Sequence, residues 1–262
     1  MKLGELKCVK VKVEGKIAFV TMDRPSAMNA LNNETLSELL NIIEWIKEKE
    51  EIWGVIITGN GKAFVAGADI SQMKDYSAEE GRKYANYAQK IFNQLEELEK
   101  PILAAVNGYA LGGGCELAMS CDLRIASSEA VFGQPEVNLG VIPCFGGTQR
   151  LSRLVGTGRA KEFIYTARFI SAEEAYQIGL VNKVVTREEL LIEAKNMMNT
   201  ILEKAPIAIR YAKVAINSGM DLDLANALEL EKDVAALTFA TSDKKEGMYA
   251  FLEKRKAKFE NK

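Results

Sequence analysis

The sequence predicts an α/β core, residues 1–200, followed by a helical C-terminal region, residues 201–262. Three observations carry that reading. Strand-like apolar runs alternate with helical periodicity through the first two thirds of the chain, and from about Arg187 the pattern becomes almost continuous helix. The composition, 48% hydrophobic and 27% charged with only 5 Pro in 262 residues, belongs to a folded chain with a substantial core.

The elements follow in order. Val11, Val13, Ile17, Phe19 and Thr21 alternate across a Glu14-Gly15-Lys16 turn, which reads as a hairpin closed by Arg24-Pro25. Asn32 or Asn33 can cap a helix whose Leu36, Leu39, Leu40, Ile43 and Ile46 keep helical spacing. Gly54-Val55-Ile56-Ile57-Thr58 is the next strand, ended by Gly59-Asn60-Gly61. A helix from about Ala78 to Leu98, a strand from Pro101 to Val106 and the turn Leu111-Gly112-Gly113-Gly114 repeat the cycle. Strands at Leu123 to Ile125 and Ala130 to Phe132 then alternate with helical stretches near Gly147 to Leu154 and Arg159 to Thr166. The final helices break at Ala205-Pro206 and around Gly219. Leu224, Leu228, Val234 and Leu237 recur at helical spacing there, so they need a surface to cover them, from their own core or from partner subunits.

Bulk properties narrow the chemistry. With 34 Lys+Arg against 36 Asp+Glu, the net charge of −2 provides no global basic field for nucleic acid or an anionic membrane. The longest apolar stretches, such as Ile102 to Val106, fall far short of the roughly 20 residues of a membrane span, and the first residues lack the apolar core of a secretory signal, so a cytoplasmic chain is expected. Cys8, Cys115, Cys121 and Cys144 form no CxxC pair, and reduced thiols are expected. The chain has no His, which removes Ser-His-Asp and Cys-His triads, imidazole acid/base chemistry and most catalytic zinc sites. Proton transfer falls to Glu, Asp, Lys, Tyr or Cys.

Three segments contain candidate chemistry. In Asn107 to Leu117 three successive glycines precede Glu116; they form either a structural tight turn or a place where backbone N–H groups reach a ligand. Neither GxGxxG nor a Walker sequence is present in this segment, which weakens a dinucleotide reading. Ala63-Phe64-Val65-Ala66-Gly67-Ala68-Asp69-Ile70 places small residues after a strand and its turn, where the Ala68 N–H would be accessible. In Phe132 to Pro143, Glu136 stands among apolar neighbours. It is either a helix-start or surface carboxylate, or a desolvated one with a raised pKa suited to proton transfer. Glu116 has its own plain alternative as a first-turn helix acid.

Together the segments resemble the enoyl-CoA hydratase (crotonase) family. Arg24 to Leu31, Ala66 to Ile70, Ala110 to Glu116, Phe132 to Glu136 and Gly146 to Arg150 occur in family order and spacing, and Phe251 to Lys256 looks like the family's final helix. The resemblance implies a spiral of repeated ββα units with a helical C-terminal region that builds homotrimers, usually stacked as homohexamers. It implies reversible hydration of trans-2-enoyl-CoA to 3-hydroxyacyl-CoA, with short chains (crotonyl-CoA and 3-hydroxybutyryl-CoA) in fatty acid or butyrate metabolism. The Ala68 and Gly113 N–H groups would form an oxyanion hole for the thioester carbonyl. Glu116 and Glu136 would flank the water, with Glu116 as base and Glu136 supplying the proton to C2. Ser26, Ala27, Ala66, Asp69, Ile70 and Lys254 would contact the acyl-CoA. No metal or redox cofactor is implied, CoA being part of the substrate.

The chain also departs from its relatives. Ser26 and Ser71 occupy positions where many carry a basic residue for the CoA phosphates, although Lys74 lies nearby, and Cys144 stands where Gly is common. A cysteine there would be strained only if the position needs positive φ. The rival readings are an enoyl-CoA isomerase, a hydratase for a branched substrate and, from another class, an RNA-binding relative that keeps the fold.

Overall fold

The computed structural model describes residues 3–262. The chain divides into two compact units, one comprising residues up to Glu96 with Ile102–Lys195, the other Glu97–Pro101 with Asn196–Lys262.

The first unit opens with the expected hairpin, β1 (Val9–Glu14) and β2 (Ile17–Met22), with Val9 opposite Met22 and Glu14 opposite Ile17. A 3-10 turn at Pro25–Ala27 leads to α1 (Asn33–Glu48), where the Asn32 side chain accepts the Thr35 N–H at 2.8 Å. The buried stripe of α1 includes Ile42, while Leu40 is only half-buried. There follow β3 (Gly54–Gly59), β4 (Ala63–Val65), α2 (Ile70–Met73), α3 (Ala78–Glu96), β5 (Ile102–Val106), β6 (Tyr109–Leu111) and α4 (Gly113–Met119). Next come β7 (Leu123–Ser127), β8 (Val131–Gly133), a 3-10 turn at Glu136–Leu139, α5 (Gly147–Val155), α6 (Thr157–Thr166), β9 (Ile170–Ser171), α7 (Ala172–Gln177) and β10 (Lys183–Val185).

The strands are dealt alternately to two sheets. One has the order β1-β2-β3-β5-β7-β10 and the other β4-β6-β8-β9. Each of the pairs β3/β4, β5/β6 and β7/β8 therefore puts its first strand in the larger sheet and its second in the smaller, then leaves into helix or 3-10 turn. Every step from β2 to β10 in the larger sheet, and from β4 to β8 in the smaller, is parallel. This is the repeated ββα winding that the resemblance implied. Strand β5 is buried along its whole length, as a parallel strand covered on both faces must be, which explains its unbroken apolar run. The short strands β4 and β6 escape a reading by alternation because three residues are too few to show a period.

Helix α8 (Leu190–Leu202) follows β10; in the second unit, α9 (Pro206–Gly219) packs on α10 (Leu224–Phe239), and α11 (Ser242–Leu252) follows. Asp223 and Thr241 cap α10 and α11 through their side chains. The buried Asp243 carboxylate accepts the N–H groups of Glu260 and Asn261 at 2.8 and 2.9 Å, which straps the last residues onto α11. Of the apolar positions read from the sequence, Val234 is buried, but Leu224, Leu228 and Leu237 are exposed in the single chain.

Candidate active site

The site is assembled where the short strands of the smaller sheet end. Beyond β4, Leu31 donates its N–H to the Gly67 carbonyl and accepts that of Asp69, both at 2.8 Å, so the chain pairs like one rung of a parallel ladder. Ala68, between the two bonded residues, turns its N–H to the opposite side, where no acceptor takes it among the described residues. Beyond β6, Gly113 begins α4 and its N–H is among those a helix leaves without an internal partner. Two glycines make this arrangement possible. Gly112 has φ 50° and ψ −122°, a conformation closed to residues with a side chain, and a Cβ on Gly114 would lie 1.8 Å from the Val65 carbonyl oxygen. Helix α4 can therefore rest directly on β4.

Glu116 lies one turn into α4 and is fully buried. Its Oε1 accepts the N–H of Phe145 at 2.8 Å and of Gly147 at 2.6 Å, both from the segment that starts α5. Burial, and then the nearby Glu136 charge, push its carboxyl up to about 8 against the pull of those two N–H groups. Glu136 opens the 3-10 turn beyond β8, and burial raises it to about 7. The plain alternatives for both residues are thus joined to the functional one: each begins a helical turn, and each is desolvated. The buried Gln134 turns its amide nitrogen to Glu136, 3.0 Å from Oε1 and 3.2 Å from Oε2.

Ala68, Gly113, Glu116 and Glu136 line one cavity of about 520 Å³, together with Ala66 and Ile70. Apolar side chains, including Met73, Tyr84, Leu139 and Ile142, make up much of the remaining wall. Tyr84 is held by its hydroxyl donating to the Leu31 carbonyl at 3.2 Å and by an edge contact with Phe145, ring centroids 5.3 Å apart. Two carboxyls that retain protons near neutrality, facing two N–H groups in a largely apolar chamber, can move a proton to and from carbon while an acyl oxygen takes up negative charge.

The other predicted contacts are dispersed. Asp69 accepts hydrogen bonds from Arg24 at 3.2 Å and Ser71 at 2.6 Å and is not part of the cavity wall. Ser26 and Ala27 sit in the 3-10 turn, also outside it. Lys254 belongs to the second unit, where it follows α11 with φ 56°. Cys144 lines the cavity without positive φ, so its backbone is unstrained, and burial pushes its thiol up to about 12. No group of three His, Cys, Asp or Glu side chains able to hold a metal ion occurs among the described residues. Sequence reasoning missed Gln134 as a site residue, together with the donors Phe145 and Gly147; backbone donors have no residue signature.

The chain is similar to known proteins along nearly its whole length. Residues 12–262 match the family model described as enoyl-CoA hydratase/isomerase. The chain is 56% identical to the short-chain-enoyl-CoA hydratase of Clostridium acetobutylicum over 96% of its own length and 97% of the relative's. It is also 56% identical to the crotonyl-CoA hydratase of Syntrophomonas wolfei, over 94% and 95% of the two chains. The crystal structure of an enoyl-CoA hydratase from Bacillus anthracis superposes with a TM-score of 0.94 at 40% identity, covering 98% of this chain and 100% of that one.

Proposed function

Because the chain belongs to the enoyl-CoA hydratase/isomerase family, we propose that it catalyses the reversible hydration of short-chain trans-2-enoyl-CoA, with crotonyl-CoA and 3-hydroxybutyryl-CoA as the substrate pair. The observation that carries this reading is the pair of desolvated carboxyls, Glu116 and Glu136, on the same cavity as the Ala68 and Gly113 N–H groups.

The thioester carbonyl binds between the Ala68 and Gly113 N–H groups. As hydroxide adds at C3, electron density moves through C2 to that oxygen, and the two donors meet charge that the ground state lacks. Losing one such donor typically costs about 3–4 kcal/mol of barrier. Water lies between the glutamates: Glu116 takes its proton, and Glu136 delivers one to C2. Burial raises both carboxyls, so the pair keeps a proton to share near neutrality, and the two titrate as one unit. Gln134 keeps the Glu136 carboxyl turned into the cavity during the transfer. The reaction needs no metal or redox cofactor.

The same reading covers the finer points. Ser26, Ala27, Ala66, Asp69, Ile70 and Lys254 are assigned to acyl-CoA contact, and Lys254 would serve the site of a neighbouring subunit. The exposed apolar residues of α10 support assembly into homotrimers or hexamers. No helix among the described residues is long and apolar enough to cross a membrane, and none of the four cysteines is in a disulfide; residence in the reducing cytoplasm is part of the proposal.

Following the loss of enoyl-thioester absorbance with purified protein and crotonyl-CoA tests the claim. Steady loss is expected, and no change with any enoyl-CoA from C4 to C10 would overturn it.

A further inference from the structure

We propose that Gly81 sets the range of acyl-chain length: the space it leaves in the wall of the cavity receives the distal end of chains longer than four carbons. The proposal rests on the hydratase reading and adds to it the residue that admits the chain.

Helix α3 buries Tyr84, Ala88, Ile91 and Leu95, a stripe spaced by three and four residues. Gly81 lies three residues before Tyr84 and seven before Ala88, so it continues that stripe on the inward face. At an inward position of a packed helix a side chain is expected to meet neighbours. A Cβ built on Gly81 meets no atom within 4 Å, yet the residue lines the cavity with Tyr84 and Met73. The stripe thus has a gap, and the gap opens into the chamber.

Nothing in the backbone requires glycine at this point. Gly81 lies inside α3 and is not among the glycines with positive φ, and a helix interior disfavours glycine against alanine. Its use is the room it leaves. A crotonyl group has five non-hydrogen atoms, which fill roughly 150 Å³ if each takes about the volume of a water molecule. The cavity of about 520 Å³ leaves ample space beyond that. Its wall near Gly81 includes Met73 and Tyr84, an apolar surface suited to a hydrocarbon tail rather than to the polar carrier.

The test is kcat/KM for trans-2-enoyl-CoA of C4, C6, C8 and C10 with wild type, Gly81→Ala and Gly81→Leu. Wild type is expected to turn over C6, and Gly81→Leu to lose at least about tenfold on C6 while holding C4 within about threefold, in keeping with the selectivity of apolar pockets. Gly81→Ala, which keeps the helix, is expected to lose less in the same direction and to melt at a higher temperature. Wild type rejecting C6, or Gly81→Leu lowering all lengths equally or none, would overturn the proposal. Absence of C4 turnover by the wild type would overturn the hydratase reading and this inference with it.

Discussion

A carboxyl group is a poor acid at neutral pH unless something keeps its proton on, and in a chain without histidine that task falls to burial. Glu116 and Glu136 satisfy it differently. Glu116 is fully enclosed and pinned by two backbone donors, whereas Glu136 is partly open and held by a side-chain amide. Replacing either with Gln is expected to lower kcat at least about a hundredfold, since each would lose its place in proton transfer; near-normal turnover in one variant would remove that residue from the mechanism. The wild-type pH profile of kcat/KM should be bell-shaped. Activity rises as the first proton leaves the pair and falls as the second leaves, both steps lifted by burial well above the ordinary carboxylate range, to about 7 and about 8. At this scale the sequence alone left both glutamates ambiguous, because a first-turn acid looks the same whether or not its surroundings exclude water. Only the fold brings Phe145 and Gly147, about thirty residues away, onto the Glu116 oxygen.

The element that decides the site's geometry is α4. Its seat on β4 depends on the missing side chain at Gly114, so Gly114→Ala should force helix and strand apart and cost about 1–3 kcal/mol of stability, read by chemical denaturation. Because the same shift would displace the Gly113 N–H, turnover should fall further than the loss of folded protein explains. A variant of unchanged stability would show that α4 has slack. The longer elements were legible: the hairpin, the cap at Asn32, and the helix beginning at Ala78 stand where periodicity and capping put them. The short ones were not. Leu111 read as part of a glycine turn because β6 ends there after three residues, and Glu136 begins a 3-10 turn too brief to leave a pattern.

For the whole molecule, the apolar positions of the last helices mark an unfinished surface. Leu224 and Leu237 are 74% and 52% exposed, more than a chain working alone would leave for large apolar side chains on one helix. Light scattering of the purified protein is expected to give three or six subunits, and Leu224→Glu combined with Leu237→Glu to give a smaller species; an unchanged mass in the double variant would place the interface elsewhere. Periodicity made the need for cover legible, but not its source. The dealing of strands to two sheets has a last consequence. The Ala68 donor, the pair Gly113 and Glu116, and then Glu136 follow three neighbouring strands of one parallel ladder, β4, β6 and β8, which lie about 4.8 Å apart. The segments that carry the reacting groups thus leave the sheet at its own pitch, a spacing that backbone hydrogen bonds hold. Breaking one rung of that ladder would therefore displace neighbouring groups of the site together.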